Sequence, residues 1–368
     1  MNWLFCRLIV STTLILSLIF SGPCQAQPSI AVGKKCEKAR TKVSTAKETL
    51  ICTKLPTGLS WQPDTTESLM NIWNSINQIN SEKSQEATLS SPIYSPMVDK
   101  KLAGKILTTI DKAARFWQDQ IPKEKLIPIF FYTEKDAVWY KGRLINLGLT
   151  IDEAAGKIKQ VEDEIRRNGS HSNMAGMNLY HGISWMEFMI GTKQKLVDLN
   201  AVMSGPHEWS HFAQYQLIGS ENLKYAPCWL MEGSAEFYGM MLGASSKSTV
   251  ISMRKRQLTE KYPKNFPGMK DEVAKGWEQY LEENGPQVTN PKYDEDCGIN
   301  GTYPVGAAAT EYLFSLKGHQ GILEFMEQIG NRRDFKSAFQ AVYGITWSVG
   351  KKQIANYIRS ISAQNQTN

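Results

Sequence analysis

Two histidines four residues apart, with a glutamate directly after the first, are the residues in this chain best suited to metal chemistry. Residues 207–211 read His-Glu-Trp-Ser-His. Side chains four apart share one face of an α-helix, so His207 and His211 can bind the same ion. Glu208 then lies beside the ion, where its carboxylate can reach an attacking water. Pro206 fits the first turn of a helix that begins or restarts here. The alternative is a helix with two ordinary surface histidines.

A third ligand, Glu232, is predicted further along the chain. Residues 229–236 read Trp-Leu-Met-Glu-Gly-Ser-Ala-Glu. Two histidines and a carboxylate form the ligand set of catalytic zinc sites that keep one position open. The spacing lets the first helix end near Gly219 and a second helix bring Glu232 to the metal. Glu236, one turn on, is expected to accept a hydrogen bond from the far nitrogen of a liganding histidine. Gly233 and Ala235 are expected to let the two helices approach closely. The alternative for Glu232 is a solvated helix charge.

These paired segments resemble the gluzincin metallopeptidases, above all the peptidase-MA-like group related to thermolysin and the aminopeptidase N family. The resemblance spans residues 98–345. Carried over by position, it implies that His207, His211 and Glu232 bind one zinc ion per chain and that Glu208 is the general base. Glu236 stands where thermolysin-like enzymes have an acidic residue behind a ligand.

Two further matches concern the substrate. Residues 303–306, Tyr-Pro-Val-Gly, resemble the Tyr-x-x-Gly of the aminopeptidase N family, in which the tyrosine hydroxyl stabilises the oxyanion. The alternative for Tyr303 is a loop aromatic packed under the following helix. Residues 176–178, Gly-Met-Asn, are similar to the substrate-binding edge strand of those aminopeptidases. The acidic residue that grips a free amino terminus is missing here, so aminopeptidase specificity does not carry over.

The resulting hypothesis is a secreted zinc-dependent peptidase that acts on a peptide or protein substrate. The competing hypothesis is a cell-surface binding protein that keeps an inactive metal site as a relic. A third is hydrolysis of a non-peptide amide at the cell wall. The mild net charge of +6 over 368 residues argues against nucleic acid as the main partner. The sequence does not indicate an oligomeric state.

The first residues predict export. A basic Arg7 precedes an apolar run from Leu8 to Phe20, and residues 24–26, Cys-Gln-Ala, offer small residues for signal peptidase. A bilayer span needs about 20 residues, so the run is short for an anchor, although an uncleaved anchor stays open. We therefore expect residues 1–26 to be a signal peptide and the protein to be extracellular or in the cell envelope. No later segment is expected to insert stably into a membrane.

Four cysteines remain after such a cleavage, and in an exported chain they indicate disulfides. We expect the pairs Cys36–Cys52 and Cys228–Cys297; a metal site is the poorer alternative because no Cys-x-x-Cys is present. Residues 33–61 loosely resemble a small Cys-hairpin module near the start of many secreted bacterial proteins.

The order of helical and strand patterns predicts an α+β architecture. The expected fold is a thermolysin-like two-lobed domain over residues 98–362, with a mixed lobe at 98–200 and a helical lobe at 201–362. A disulfide hairpin at 27–62 and a linker with one helix at 63–97 precede it, and 363–368 form a tail. Thr150 and Glu153 predict a capping box. His171 and His319 lie in polar surroundings and are expected at the surface.

Overall fold

The computed structural model describes residues 30–45, 48–55, 58–83, 89–122, 126–171, 173–193, 199–260, 274–286, 297, 302–332 and 334–366. The strands are β1 (Lys42–Ser44), β2 (Thr49–Leu55), β3 (Gly58–Pro63), β4 (Ile93–Tyr94), β5 (Ile129–Tyr132), β6 (Asn173–Tyr180) and β7 (Ile183–Ile190). The helices are α1 (Thr65–Glu82), α2 (Lys100–Phe116), α3 (Ala137–Leu147), α4 (Ile151–Asn168), α5 (Leu199–Ile218), α6 (Cys228–Gly243), α7 (Lys247–Glu260), α8 (Ala274–Glu283), α9 (Thr302–Arg332), α10 (Phe335–Tyr343) and α11 (Trp347–Gln366). The predicted α+β class is confirmed at this level. The expected signal peptide lies outside the described residues.

The mixed sheet next to α5, the helix that carries residues 207–211, has the strand order β4-β5-β7-β6. The pairs β4–β5 and β5–β7 are parallel, and β6 runs antiparallel to β7. Alternate residues of β5 enter different cores, as the period of two in a strand requires. Phe131 belongs to the large helical core, whereas Phe130 packs with α3 and α4 on the other face. This order leaves β6 as an edge strand.

The helix caps follow local sequence rules. The Thr150 side chain accepts from the Glu153 backbone N–H, and the Glu153 carboxylate accepts from the Thr150 N–H at 2.7 Å, so the predicted capping box of α4 is confirmed. Asp99 caps α2 by accepting from the N–H groups of Lys101 and Leu102. These caps fix where the helices that flank the sheet begin.

Helix α5 begins earlier than the sequence suggests. Pro206 was expected in a first turn, but it lies inside the helix that starts at Leu199. The Pro206 carbonyl accepts from the Ser210 hydroxyl at 2.8 Å. The prediction was wrong because the residues before Pro206 continue the helix, and Gly205 packs against α2, where an added Cβ would lie 2.7 Å from the Ile110 side chain.

The segment expected to be a linker, residues 63–97, carries a helix that belongs to the main core. Leu69, Ile72 and Ile76 of α1 are buried in the same cluster as the site helices. They recur every three to four residues and form one apolar stripe, and the partly buried Met70, Trp73 and Ile79 pack against the same core. The small sheet β1-β2-β3 precedes α1 and is bridged by the expected Cys36–Cys52 disulfide.

The last helix closes the molecule back onto this amino-terminal part. The Gln364 amide of α11 donates to the Pro63 carbonyl at 2.8 Å and accepts from the Thr65 hydroxyl at 2.7 Å. Residues 363–366, expected in a tail, are therefore part of α11. A search of the described helices for an apolar stretch sufficient to cross a bilayer finds none.

Candidate metal centre

Helix α5 presents the predicted metal-binding pair on one buried face. His207, Glu208 and His211 are 6%, 8% and 9% exposed. The Nε2 atoms of the two histidines lie 3.1 Å apart. A spacing of four residues in a helix produces this pairing, since such side chains stand one turn apart on the same face. Both rings therefore point their far nitrogens at one position.

Helix α6 brings the predicted third ligand to the same position. Glu232 Oε2 lies 3.5 Å from Nε2 of His207 and 3.5 Å from Nε2 of His211. One ligand atom from each of these residues lies within 4.8 Å of the others. Glu232 Oε2 is buried and has no hydrogen-bond partner among the described residues. An orphaned carboxylate oxygen facing two imidazole nitrogens is a donor set that fits a divalent metal ion.

Each histidine is held from behind through its other ring nitrogen. Glu236 Oε2 accepts from Nδ1 of His207 at 3.0 Å, and Gln257 of α7 donates to the other oxygen of Glu236. Gln214 Oε1 lies 2.8 Å from Nδ1 of His211. Such contacts orient a ligand ring and leave Nε2 directed at the metal position. The contact of Glu236 was expected from the sequence, whereas Gln214 and Gln257 were not identified.

The cluster concentrates negative charge around the two rings. Burial alone would lower the pKa of His207, but Glu232, Glu236 and Glu208 outweigh burial and raise the pKa to about 10. Burial raises the pKa of Glu208, and the two nearby imidazoles only partly oppose this shift. For Glu232, the imidazoles outweigh burial and hold its pKa well below its usual range. Three carboxylates against two imidazoles create a site that favours a cation.

Glu208 connects the helix to the edge strand. The Met177 backbone N–H donates to Glu208 Oε2 at 2.8 Å. This contact turns the carboxylate away from the helix axis and towards β6. It also shows which backbone groups of β6 face α5, because ladder and edge groups alternate along an antiparallel strand. The segment 176–178, singled out in the sequence, therefore borders the carboxylate expected to act as the base.

Tyr303 lies at the site, and small residues make its approach possible. Its ring stacks on that of His207 with centroids 5.6 Å apart. Burial and the carboxylates of Glu232, Glu208 and Glu236 raise the pKa of Tyr303 far above its usual range, so the hydroxyl keeps its proton. Gly306 lies against the backbone of α6, where an added Cβ would lie 2.0 Å from the Trp229 carbonyl oxygen.

The role expected of Gly233 is corrected by this packing. Gly233 faces Gly306 of α9 and does not face α5. The close approach of α6 to α5 occurs instead at Gly239 and Gly243, where added Cβ atoms would lie 3.0 and 2.5 Å from the carbonyl oxygens of Met203 and Val202. Gly233 and Glu232 are adjacent, so they point in different directions around α6, which explains the difference.

The expected disulfide Cys228–Cys297 is present and joins α6 to a residue that precedes α9 in the chain. Cys228 is the first residue of α6, one turn before Glu232. Cys297 lies before α9, and its carbonyl accepts from the Thr302 hydroxyl at 2.5 Å. The bond therefore ties the start of the helix that carries Glu232 to the segment that leads into Tyr303.

A cleft of about 860 Å³ opens over the cluster and contains the residues expected to meet a substrate. Its floor includes the metal-binding group, Glu208 and Tyr303, and β6 forms one border. A charged wall comes from α4, including Lys157 and Arg167. Tyr215 also lines the cleft, one turn after His211; burial and the nearby carboxylates raise its pKa to about 12. Tyr215 was not identified from the sequence, since a tyrosine at this spacing has no motif of its own.

Comparison with protein families, with curated proteins and with solved structures finds no match for this chain. The resemblance to the gluzincins therefore stays a prediction that rests on the residues of the motif.

Proposed function

We propose that this chain is a zinc-dependent peptidase whose ligands are His207, His211 and Glu232. The observation that carries the proposal is the convergence of these three donors beneath an open cleft, with Glu208 directed at an edge strand beside them. Two imidazoles and one carboxylate leave a coordination position for a reactant, as catalytic zinc sites do. Structural zinc sites usually have four protein ligands, which favours catalysis over a structural role.

The edge strand supplies the means to hold a peptide. The Met177 N–H faces Glu208, so the alternation of the ladder turns the backbone groups of Ala175 and Leu179 to the same side. An extended peptide can pair with such an edge, with main-chain hydrogen bonds giving affinity and alternate side chains giving specificity. Residues of β6 and α4 line the same cleft as Glu208, so a peptide paired with β6 would lie in the cleft with both. This supports a peptide substrate over a compact amide.

The chemistry assigned to the side chains is proton transfer and charge stabilisation. A zinc ion, when bound in such a site, supplies a Lewis acid that polarises a carbonyl and makes water more acidic. Glu208 accepts the proton of the attacking water and passes it to the departing amine. Burial raises the pKa of Glu208 above its usual range, which makes this carboxylate a better proton acceptor. Tyr303 keeps its proton and can donate a hydrogen bond to the oxygen that gains negative charge.

The arrangement also supports the finer fold expected from the sequence. A mixed sheet with an edge strand, a helix with both histidines and a second helix with the glutamate are the parts of a thermolysin-like domain. We include this fold in the proposal. Two disulfides favour an oxidising compartment. We therefore assign the reaction to the outside of the cytoplasm, as the amino-terminal segment also predicts.

The decisive experiment separates metal binding from turnover. Glu208→Gln keeps the ligands and removes the base, so we expect zinc content equal to that of the parent. Cleavage of a peptide library should fall by about 10²- to 10⁴-fold, the usual contribution of a positioned acid or base. Glu221→Gln is the matched control, because Glu221 is exposed and lies outside the lining of the cleft.

Three outcomes would contradict the proposal. Equal cleavage by Glu208→Gln and the parent would show that Glu208 is not the base. Zinc binding by the parent without any peptide cleavage would favour the binding-protein hypothesis. Cleavage of cell-wall amides but not of library peptides would leave the metal site intact and replace the substrate class. A chelator should abolish the parent activity, and added zinc should restore it.

A further inference from the structure

Gln214 is buried between the two helices that carry the metal ligands. Its side chain is 1% exposed and follows His211 on α5 by three residues. Its oxygen lies 2.8 Å from Nδ1 of His211. Its amide nitrogen donates to the Met231 carbonyl at 2.7 Å and to the Ser234 hydroxyl at 2.8 Å. Met231 directly precedes Glu232 in α6. The Gln214 side chain therefore contacts one predicted ligand, His211, and the residue next to another, Glu232.

The Met231 carbonyl fixes the orientation of this amide. A carbonyl oxygen can only accept, so the NH₂ end of Gln214 must face Met231. The oxygen end then faces His211, and Nδ1 of His211 must carry the hydrogen of the contact. A neutral imidazole with its hydrogen on Nδ1 has its lone pair on Nε2. That lone pair points to the position that Glu232 Oε2 borders, and this oxygen lies 3.5 Å from Nε2 of His211.

The two histidines are therefore positioned by different means. His207 is held by the Glu236 carboxylate, which α7 supports through Gln257. His211 is held by a neutral amide, which α6 supports through its own backbone. Because Met231 and Glu232 are neighbours in one helix, a shift of α6 that moves Glu232 also moves the acceptor that holds Gln214.

We propose that Gln214 is a positioning residue that joins His211 to the helix of Glu232, so that these two ligands keep their spacing as one unit. This inference rests on the proposed function, because it assigns Gln214 a role in metal binding. It predicts that loss of the amide weakens metal affinity even though Gln214 does not itself contact the metal position. Loss of a contact behind a ligand typically costs 10- to 100-fold in metal affinity.

The test measures zinc affinity by chelator competition and records the visible spectrum of the cobalt(II)-substituted protein. Gln214→Met has a similar size and no hydrogen bonds to His211 or Met231; we expect affinity to fall by about 10- to 100-fold and the spectrum to shift. Gln214→Glu keeps an acceptor for Nδ1 of His211 but has no hydrogen to donate to the Met231 carbonyl, so it breaks the link to α6, and we expect a similar loss of affinity. Gln216→Met is the matched control on the same helix, because Gln216 lies outside the lining of the cleft.

Each outcome decides between support and rejection. Parent-like affinity and spectrum in Gln214→Met would overturn the inference. Parent-like affinity in Gln214→Glu would overturn it as well, because the contact with His211 would then suffice without the link to α6. If Gln214→Met does not fold, the glutamate variant decides, and a loss of less than about tenfold contradicts the proposed role. If the parent itself binds neither zinc nor cobalt, the proposed function fails first.

Discussion

Gly233 and Gly306 lie where α6 and α9 cross, and the two backbones are so close that a Cβ added to Gly233 would lie 2.1 Å from the Gly306 Cα. No side-chain rotation can relieve a contact between a Cβ and a backbone atom, so even alanine must separate the helices. Glu232 precedes one of these glycines, and Tyr303 lies three residues before the other. The crossing therefore sets the distance between a predicted metal ligand and the predicted oxyanion donor.

Gly233→Ala should destabilise the fold through this contact. We expect the free energy of unfolding to fall by about 1–3 kcal/mol, the usual cost of overpacking. Urea unfolding of the metal-free protein checks this. Gly104→Ala in α2 is the matched control, since a Cβ there has nothing within 4 Å, and alanine should stabilise the helix by about 0.5–1 kcal/mol. Similar values for the two variants would contradict the role of the crossing.

Arg254→Met should be strongly destabilising because it breaks a buried ion pair. The Arg254 guanidinium is 4% exposed and donates to Glu311 and to the Thr65 carbonyl, each at 2.8 Å. Without it, Glu311 would be a buried charge whose remaining donor among the described residues is the Tyr357 hydroxyl, at 2.7 Å. We expect a loss of about 3–5 kcal/mol in urea unfolding.

The double variant Arg254→Met with Glu311→Gln tests the cause of that loss. Glutamine still accepts from Tyr357 but carries no charge, so the double variant should be more stable than Arg254→Met alone. If the second substitution makes no difference, the loss comes from the contacts of Arg254 with Thr65. That result would instead assign the effect to the attachment of the amino-terminal part.

His319 should make the protein less stable in mild acid. The sequence suggested a surface residue, but its ring packs against Phe116 and Trp117, and the Tyr238 hydroxyl lies 2.7 Å from Nδ1. Burial, with a smaller effect of Lys83, lowers the pKa of His319 from 6.5 to about 3. Between these values the unfolded chain binds one more proton than the folded protein. The free energy of unfolding should therefore fall by about 1.4 kcal/mol per pH unit as the pH decreases through this window.

Urea unfolding at several pH values between about 6.5 and 4 measures this slope. His319→Gln should reduce the slope by about one proton. His171→Gln is the matched control, because His171 is exposed, as expected, and its replacement should leave the slope unchanged. An unchanged slope in His319→Gln would show that the protons are taken up elsewhere.

Zinc should raise the melting temperature of the parent protein and leave that of Glu232→Gln almost unchanged. A ligand at 100 times its dissociation constant stabilises a folded protein by about 2.7 kcal/mol. Glu232→Gln removes a charged ligand and should remove most of this gain. Glu162→Gln, an exposed change of the same kind on α4, should respond to zinc like the parent. A zinc response that survives in Glu232→Gln would place the ion elsewhere.

The features that were predicted well depend on the spacing of residues within one element, or on the set of side-chain types that one metal site requires. A separation of four residues brings His207 and His211 together in any regular helix, and Thr150 and Glu153 need only one helical turn. The features that were predicted poorly depend on which helices pack against one another. Gln214 resembles any other polar helical residue until α6 places the Met231 carbonyl against it. Gly233 was assigned to the wrong neighbour for the same reason.

Whether the Cys228–Cys297 bond forms depends on the redox state of the compartment that the chain is in. In a reducing compartment both residues are thiols, and nothing covalent holds the segment before Tyr303 against the first turn of α6. For a closed loop with a sequence separation of 69, chain entropy alone gives the bond about 4 kcal/mol. This stabilisation would be added only where the chain meets an oxidant. The first turn of α6 would therefore gain its covalent tie to Cys297 only after the chain leaves a reducing compartment.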